Sequence, residues 1–289
     1  MISNRHAYNK SIFLENPLLK LLGEKRFNLR EYWAQKRKPP YSPHCDKIIL
    51  DITYACNLRC ENCNRSCRHA PSNDFMTLAQ IEHFIQESID QERKWQQIWI
   101  EGGEPTLHPD IDRILDILLE YKKKYRPLVK IQLNSNGYGD KTIRKLEQIG
   151  KRIRIYSSEK TSPVVQDFCV FNLAPCDFQA YQDIDFSIGC YLPSFHGLCL
   201  NMNGYYHCTC AGGMDRVLGL DLGLKKLPGN EDLWWGKTMS AFCRYCGHFS
   251  VNNRHHLSVE PPQVDFPISD SWQQFFETYN TRKVSLTKY

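Results

Sequence analysis

The chain has 289 residues, 42% of them hydrophobic, with 37 Lys and Arg against 32 Asp and Glu and a formal net charge of +5. That length can bury one large core, or one core with a small appended module. No apolar run approaches the roughly eighteen residues of a membrane span, and no charged segment followed by an apolar core marks a signal peptide. The modest charge, spread through Lys- and Arg-containing helices and Arg37-Lys38, reads as solvated surface rather than as a nucleic-acid footprint.

Residues 1–44 are polar, basic and aromatic and close on Lys38-Pro39-Pro40-Tyr41-Ser42-Pro43, an N-terminal extension ending in a stiff linker. An apolar strand over 48–54 then runs into Cys56, Cys60 and Cys63. A C-x-x-x-C-x-x-C loop can give three thiolates to one [4Fe-4S] cluster and leave one iron free to bind a small molecule. Taken alone, the triplet suits zinc as well. Thr77 is the expected N-cap of a helix reaching about residue 90, with Leu78, Ile81, Phe84, Ile85 and Ile89 at helical spacing. A strand over 97–100 ends in Glu101-Gly102-Gly103-Glu104-Pro105, and Ile111, Ile114, Leu115, Leu118 and Leu119 form one face of a helix over 110–124. A strand over 129–133 runs into Asn134-Ser135-Asn136-Gly137 and is followed by a helix over 140–149. A strand over 152–156 ends at Ser157-Ser158, and 168–173 reads as a fifth strand. This alternation predicts parallel βαβ units in an α/β fold.

The last hundred or so residues change character. Cys190, Cys199, Cys208 and Cys210 are followed by the C-x-x-C pair Cys243 and Cys246. Residues 199–208 predict a β-hairpin turning at Asn203-Gly204, and 270–279 an amphipathic helix covering the core. Thirteen cysteines without a secretion signal point to a cytoplasmic protein that binds metal rather than forming disulfides. Cys45, Cys67, Cys169 and Cys176 lack ligand spacing and read as ordinary thiols. His69, His108, His207 and His255-His256 read as hydrogen-bonded or surface residues, and Trp234-Trp235 as an apolar anchor.

The cysteine triplet after a strand, the Gly102-Gly103-Glu104-Pro105 segment and the Asn134–Asn136 strand end resemble, in order, the motifs of the radical S-adenosylmethionine (SAM) superfamily. The resemblance implies a partial (β/α)6 TIM-like barrel over 45–187, with its site at the carboxyl ends of the strands. It implies Cys56, Cys60 and Cys63 as ligands of a [4Fe-4S] cluster, and Gly102, Gly103, Glu104, Pro105, Asn134, Ser135, Asn136 and Ser157 around SAM. Asn62, before the third cysteine, departs from the aromatic or apolar residue frequent there. The C-terminal cysteines resemble a Twitch or shortened SPASM module over 188–250, followed by a tail over 251–289. That implies a second [4Fe-4S] cluster on Cys190, Cys208, Cys243 and Cys246, with Cys199 or Cys210 as alternatives and a zinc knuckle as the other occupant. The implied activity is reductive SAM cleavage to a 5′-deoxyadenosyl radical, supplied with electrons by a flavodoxin or ferredoxin-type reductant. Hydrogen abstraction and oxidation of a small polyol, amino sugar or sugar nucleotide would follow. A ribosomal-peptide maturase and a non-catalytic iron-sulfur or zinc protein are the alternatives.

Overall fold

A computed structural model of the chain describes residues 39–164, 170–229, 234–253, 257, 268–282 and 284–289. Arg37-Lys38, Cys169 and His255-His256 lie outside the described residues. The expected alternation is present as β1 (Lys47–Thr53), α1 (Leu78–Asp90), β2 (Gln97–Gly102), α2 (Ile111–Lys124), β3 (Lys130–Ser135), α3 (Asp140–Ile149) and β4 (Arg154–Ser157). Neighbouring strands in this series pair in parallel, as helical crossovers require.

Each helix buries one stripe: Ile81 and Phe84 on α1, Ile111, Ile114, Leu115 and Leu118 on α2, Leu146 and Ile149 on α3. These meet Ile48, Leu50, Ile52, Ile98, Ile100, Ile131, Leu133 and Ile155 in one continuous core. At Thr77 the hydroxyl accepts from the Gln80 backbone N–H at 3.2 Å, and the Gln80 side chain accepts from the Thr77 N–H at 3.0 Å. This capping box fixes where the chain leaves the cysteine loop and enters α1. Because strand side chains alternate, Asp51, Glu101 and Asn134 fall on the sheet face opposite this core.

Two departures from the sequence reading follow. The described part of 168–173 is a turn entering the 3-10 turns Pro175–Asp177 and Gln179–Tyr181, not a strand. Its apolar residues are buried instead by side-chain packing, Phe171 lying 5.1 Å from the Trp272 ring; a short apolar run signals burial without specifying a strand. The hairpin forms as β5 (Leu198–Asn201) and β6 (Gly204–Tyr206), but it turns at Met202-Asn203, and Gly204 opens β6 at φ 134°. β5 also pairs in parallel with β1, giving the order β4-β3-β2-β1-β5-β6. The hairpin therefore extends the sheet beside β1 instead of continuing past β4.

The C-terminal half adds α4 (Tyr191–His196) before the hairpin, then α5 (Thr209–Leu218), α6 (Trp235–Cys243), α7 (Gly247–Asn253) and α8 (Asp270–Thr281). Tyr206, Cys210, Met214, Phe242, Trp272 and Phe276 form the second core. Trp234 and Trp235 are half-buried anchors, as expected. The last residues return to the hairpin, where the Tyr289 N–H donates to the Met202 carbonyl at 3.1 Å and its hydroxyl to Glu87 at 2.6 Å. No helix among the described residues is long and apolar enough to cross a membrane.

Trp272 is fully buried and donates its indole N–H to the Tyr245 carbonyl at 2.7 Å. Trp272→Ala should cost about 3–5 kcal/mol, lowering the urea midpoint at unchanged slope. A midpoint equal to the parent's would show that α8 does not hold the second core.

Candidate active site

Between β1 and α1 the chain forms no helix and one isolated bridge, Thr53 to Phe75. The loop is closed at its base by hydrogen bonds from Tyr54 N–H to Asp74 O at 3.0 Å and from Met76 N–H to Ile52 O at 2.8 Å. At its tip the Leu58 N–H lies 3.5 Å from Cys56 Sγ. Asn136, beyond β3, sets its Nδ2 3.9 Å from the same sulfur and 2.7 Å from Asn57 Oδ1. The strand end named by sequence thus touches the first cysteine.

Cys67 is a buried thiol beside the first cysteine loop, and it hydrogen-bonds to the Cys56 and Cys63 thiols. That bond lowers Cys56 and brings Cys63 to about 6, while Cys67 itself is driven well above the usual thiol value. Asn62 is buried, and its Oδ1 accepts from the Asn172 N–H at 3.4 Å. It therefore serves packing against the 170–174 turn.

The glycines after β2 are required by close approach. A Cβ on Gly102 would stand 2.2 Å from the Thr53 carbonyl oxygen, and one on Gly103 2.2 Å from that of Ala55. The Gly103 and Glu104 N–H groups donate to those same carbonyls at 2.7 and 2.8 Å. Glu104 is wholly buried, and its carboxylate accepts from the Thr106 N–H and hydroxyl, the Ser135 hydroxyl and the Asn136 N–H at 2.8–3.1 Å. Burial raises its pKa. A carboxylate so fully occupied binds the ends of β2 and β3 together. Ser157 completes the row, accepting from the Glu159 N–H at 3.2 Å.

Below this rim lies a polar layer that sequence patterning did not single out. Arg65, two residues past Cys63, donates through Nε and Nη2 to Asp51 at 3.3 and 3.1 Å and through Nη2 to Glu101 at 2.5 Å. Glu101 also accepts from Asn134, which accepts from Gln132 at 2.6 Å. Burial lifts Asp51 to about 6 against the pull of Arg65. Alternating polar residues at three strand ends were the available signal.

Of the C-terminal cysteines, Cys208 caps α5 and Cys210 lies in its first turn. Hydrogen bonds from Cys208 and Cys246 hold the Cys210 thiol well below its usual range, while those two are raised by the same bonds and by burial. Cys243 is raised by burial with Cys190 nearby, and the Cys190 thiol, pushed up to about 12 by burial, lies 3.8 Å from Asn252 Nδ2. Cys199 points elsewhere, to Asp51 at 3.8 Å.

Among the described residues no three Cys, His, Asp or Glu side chains converge on a single-ion site. A cubane ligates each iron separately, so its thiolates are spread apart rather than gathered around one point. Thiolate is favoured at Cys56 and Cys63, which suits a group of that kind at the first loop, whereas in the C-terminal group it is favoured at Cys210 while Cys190, Cys208, Cys243 and Cys246 are raised.

Between pH about 4, the ordinary carboxyl value, and about 6, folded Asp51 keeps a proton that the unfolded chain releases. Stability should therefore fall as pH rises through this window, by at most about 3 kcal/mol. Urea unfolding of the metal-free protein across the window should show this slope, and Asp51→Asn should flatten it. Equal slopes in the two proteins would contradict the assignment.

Residues 50–157 match the model of the radical SAM superfamily. The GTP 3′,8-cyclase of Aliarcobacter butzleri (strain RM4018) is 32% identical over 114 residues, which are 38% of this chain and 33% of that protein. The tungsten-containing aldehyde ferredoxin oxidoreductase cofactor-modifying protein of Pyrococcus furiosus is 30% identical over 123 residues, 42% of this chain and 32% of that protein. The chain spans about a third of the length of the curated relatives it matches. Among solved structures, BtrN in complex with AdoMet and 2-DOIA aligns with TM-score 0.45 and 13% identity over 78% of this chain and 99% of that one. Streptococcus suis SuiB bound to precursor peptide SuiA aligns with TM-score 0.30 and 20% identity over 52% and 31%. With the cysteine loop, the glycine-rich turn and the β3 end joined as described, residues 50–157 are a radical SAM domain.

Proposed function

We propose that the chain is a radical SAM enzyme in which Cys56, Cys60 and Cys63 hold a [4Fe-4S] cluster. Gly102, Gly103, Glu104, Pro105, Asn134, Ser135, Asn136 and Ser157 shape the SAM pocket beside it. The observation that carries this reading is the chain of contacts from Glu104 to Asn136 and from Asn136 to Cys56, which joins all three motif segments at one end of the sheet. A flavodoxin or ferredoxin-type donor would reduce the bound cluster, which supplies the electron that cleaves SAM to the 5′-deoxyadenosyl radical. The protein's part is positional: Glu104 fixes two strand ends, and the paired glycines let β2 lie against the loop.

The second cysteine group, Cys190, Cys208, Cys243 and Cys246 with Cys210 in contact, is assigned a second [4Fe-4S] cluster. Such a cluster can accept an electron from a substrate radical, so net oxidation is the preferred outcome. One carboxylate and two amides, Glu101, Asn134 and Gln132, stand partly exposed on the sheet face below the rim. Hydrogen-bonding groups of this kind suit a small hydroxyl- or amino-rich substrate: a polyol, an amino sugar or a sugar nucleotide. A reducing compartment such as the cytoplasm suits thiols used in this way.

Cys56→Ala, Cys60→Ala and Cys63→Ala should each abolish 5′-deoxyadenosine formation, and cleavage retained in the triple variant would overturn the assignment. The pair Cys243→Ala and Cys246→Ala should remove roughly half the iron and leave the SAM-cleaving cluster assembled. Unchanged iron content there would refute the second site.

A further inference from the structure

Helix α5 contains Gly212 and Gly213 side by side in its centre, although each glycine weakens a helix by about 1 kcal/mol relative to alanine. The reason is contact. A Cβ on Gly213 would stand 2.5 Å from the Asn64 carbonyl oxygen and 3.0 Å from the Arg65 Cα, so the helix lies directly on the backbone that follows Cys63. One turn on, Arg216 donates through Nη2 to the Arg65 carbonyl at 2.7 Å and through Nη1 to Tyr279 at 3.2 Å. Its guanidinium lies 4.4 Å from the centre of the Tyr54 ring. The Gly212 carbonyl in turn accepts from Tyr54 and Asn201, each at 3.3 Å. The other end of the same helix carries Cys208 as its cap and Cys210 in its first turn. From Cys210 to Arg216 the rise is about 9 Å.

We propose that α5 is a rigid strut coupling the two cysteine sites, with Gly213 and Arg216 as positioning residues that transmit the metal state of the second group to the SAM cluster loop. The proposal rests on the reading that both groups bind metal. Filling the second group fixes the first turn of α5 through Cys208. A helix buried from Thr209 to Val217 then holds Asn64 and Arg65, and through them Cys63 and the Arg65 ion pairs with Asp51 and Glu101. By linkage, SAM bound at the first site stabilises metal at the second by the same factor.

The test uses the full chain after anaerobic reconstitution. Iron is counted, SAM is titrated against the electron paramagnetic resonance signal of the first cluster, and amide hydrogen exchange is followed over residues 61–67. Emptying the second group with Cys243→Ala and Cys246→Ala should weaken SAM binding roughly tenfold and speed exchange over 61–67. Gly213→Ala should do the same with the iron count unchanged. Arg216→Leu, which removes the Arg65 bond without adding a clash, serves as well if Gly213→Ala does not fold. If the parent holds both clusters but all these variants bind SAM and exchange as it does, the coupling is overturned and the two-cluster reading stands. If the parent holds metal at the first site alone, the two-cluster reading falls and the coupling with it.

Discussion

The site depends on Arg65. The loop from Cys56 to Asp74 has no helix and no strand ladder of its own, so its shape must come from side chains that tie it to regular elements. Arg65 does this from both ends: its guanidinium spans Asp51 on β1 and Glu101 on β2, and its carbonyl is held by Arg216 of α5. Asp51 is fully buried and Arg65 nearly so. Removing one partner of such a group costs about 3–5 kcal/mol, mostly because the other charge is stranded. Such a pair contributes little net stability, but it holds one arrangement of the loop over others, and the cluster proposed for the three cysteines on that loop would need one arrangement.

Glu104 does for the strand ends what Arg65 does for the loop. Parallel strands finish with backbone groups that no further ladder satisfies, and the Glu104 carboxylate collects four donors from the turn after β2 and from the end of β3 and the residue after it. Asn136, fixed by this contact, then reaches Cys56 and Asn57. The path from a buried carboxylate to the first cysteine is continuous, and it explains why the Gly-Gly-Glu-Pro segment and the Asn-Ser-Asn end have to occur together. Either turn alone would be an ordinary feature of an α/β chain.

Most of the first half was legible in the sequence because its elements are strongly periodic. The faces of α1 and α2 were read from Ile81, Phe84, Ile111, Ile114 and Leu118, and the cap of α1 from Thr77. The second half was less legible for identifiable reasons. The run around Phe171 is apolar because it packs on Trp272, and nothing local separates that from a strand. The partner of β5 is β1, some 150 residues earlier in the chain, and short hairpin strands do not announce a long-range parallel neighbour. Cys67 has no ligand spacing, and its contact with the Cys56 and Cys63 thiols shows only once the loop is folded. The role of Gly213 shows only once the Asn64 carbonyl is seen against it.

The most direct measurement of the central claim is iron, sulfide and zinc per chain after anaerobic reconstitution, with electron paramagnetic resonance of the reduced protein before and after SAM is added. The account predicts about eight irons and one cluster signal that changes with SAM. Zinc in place of iron, or a cluster signal indifferent to SAM, would contradict it.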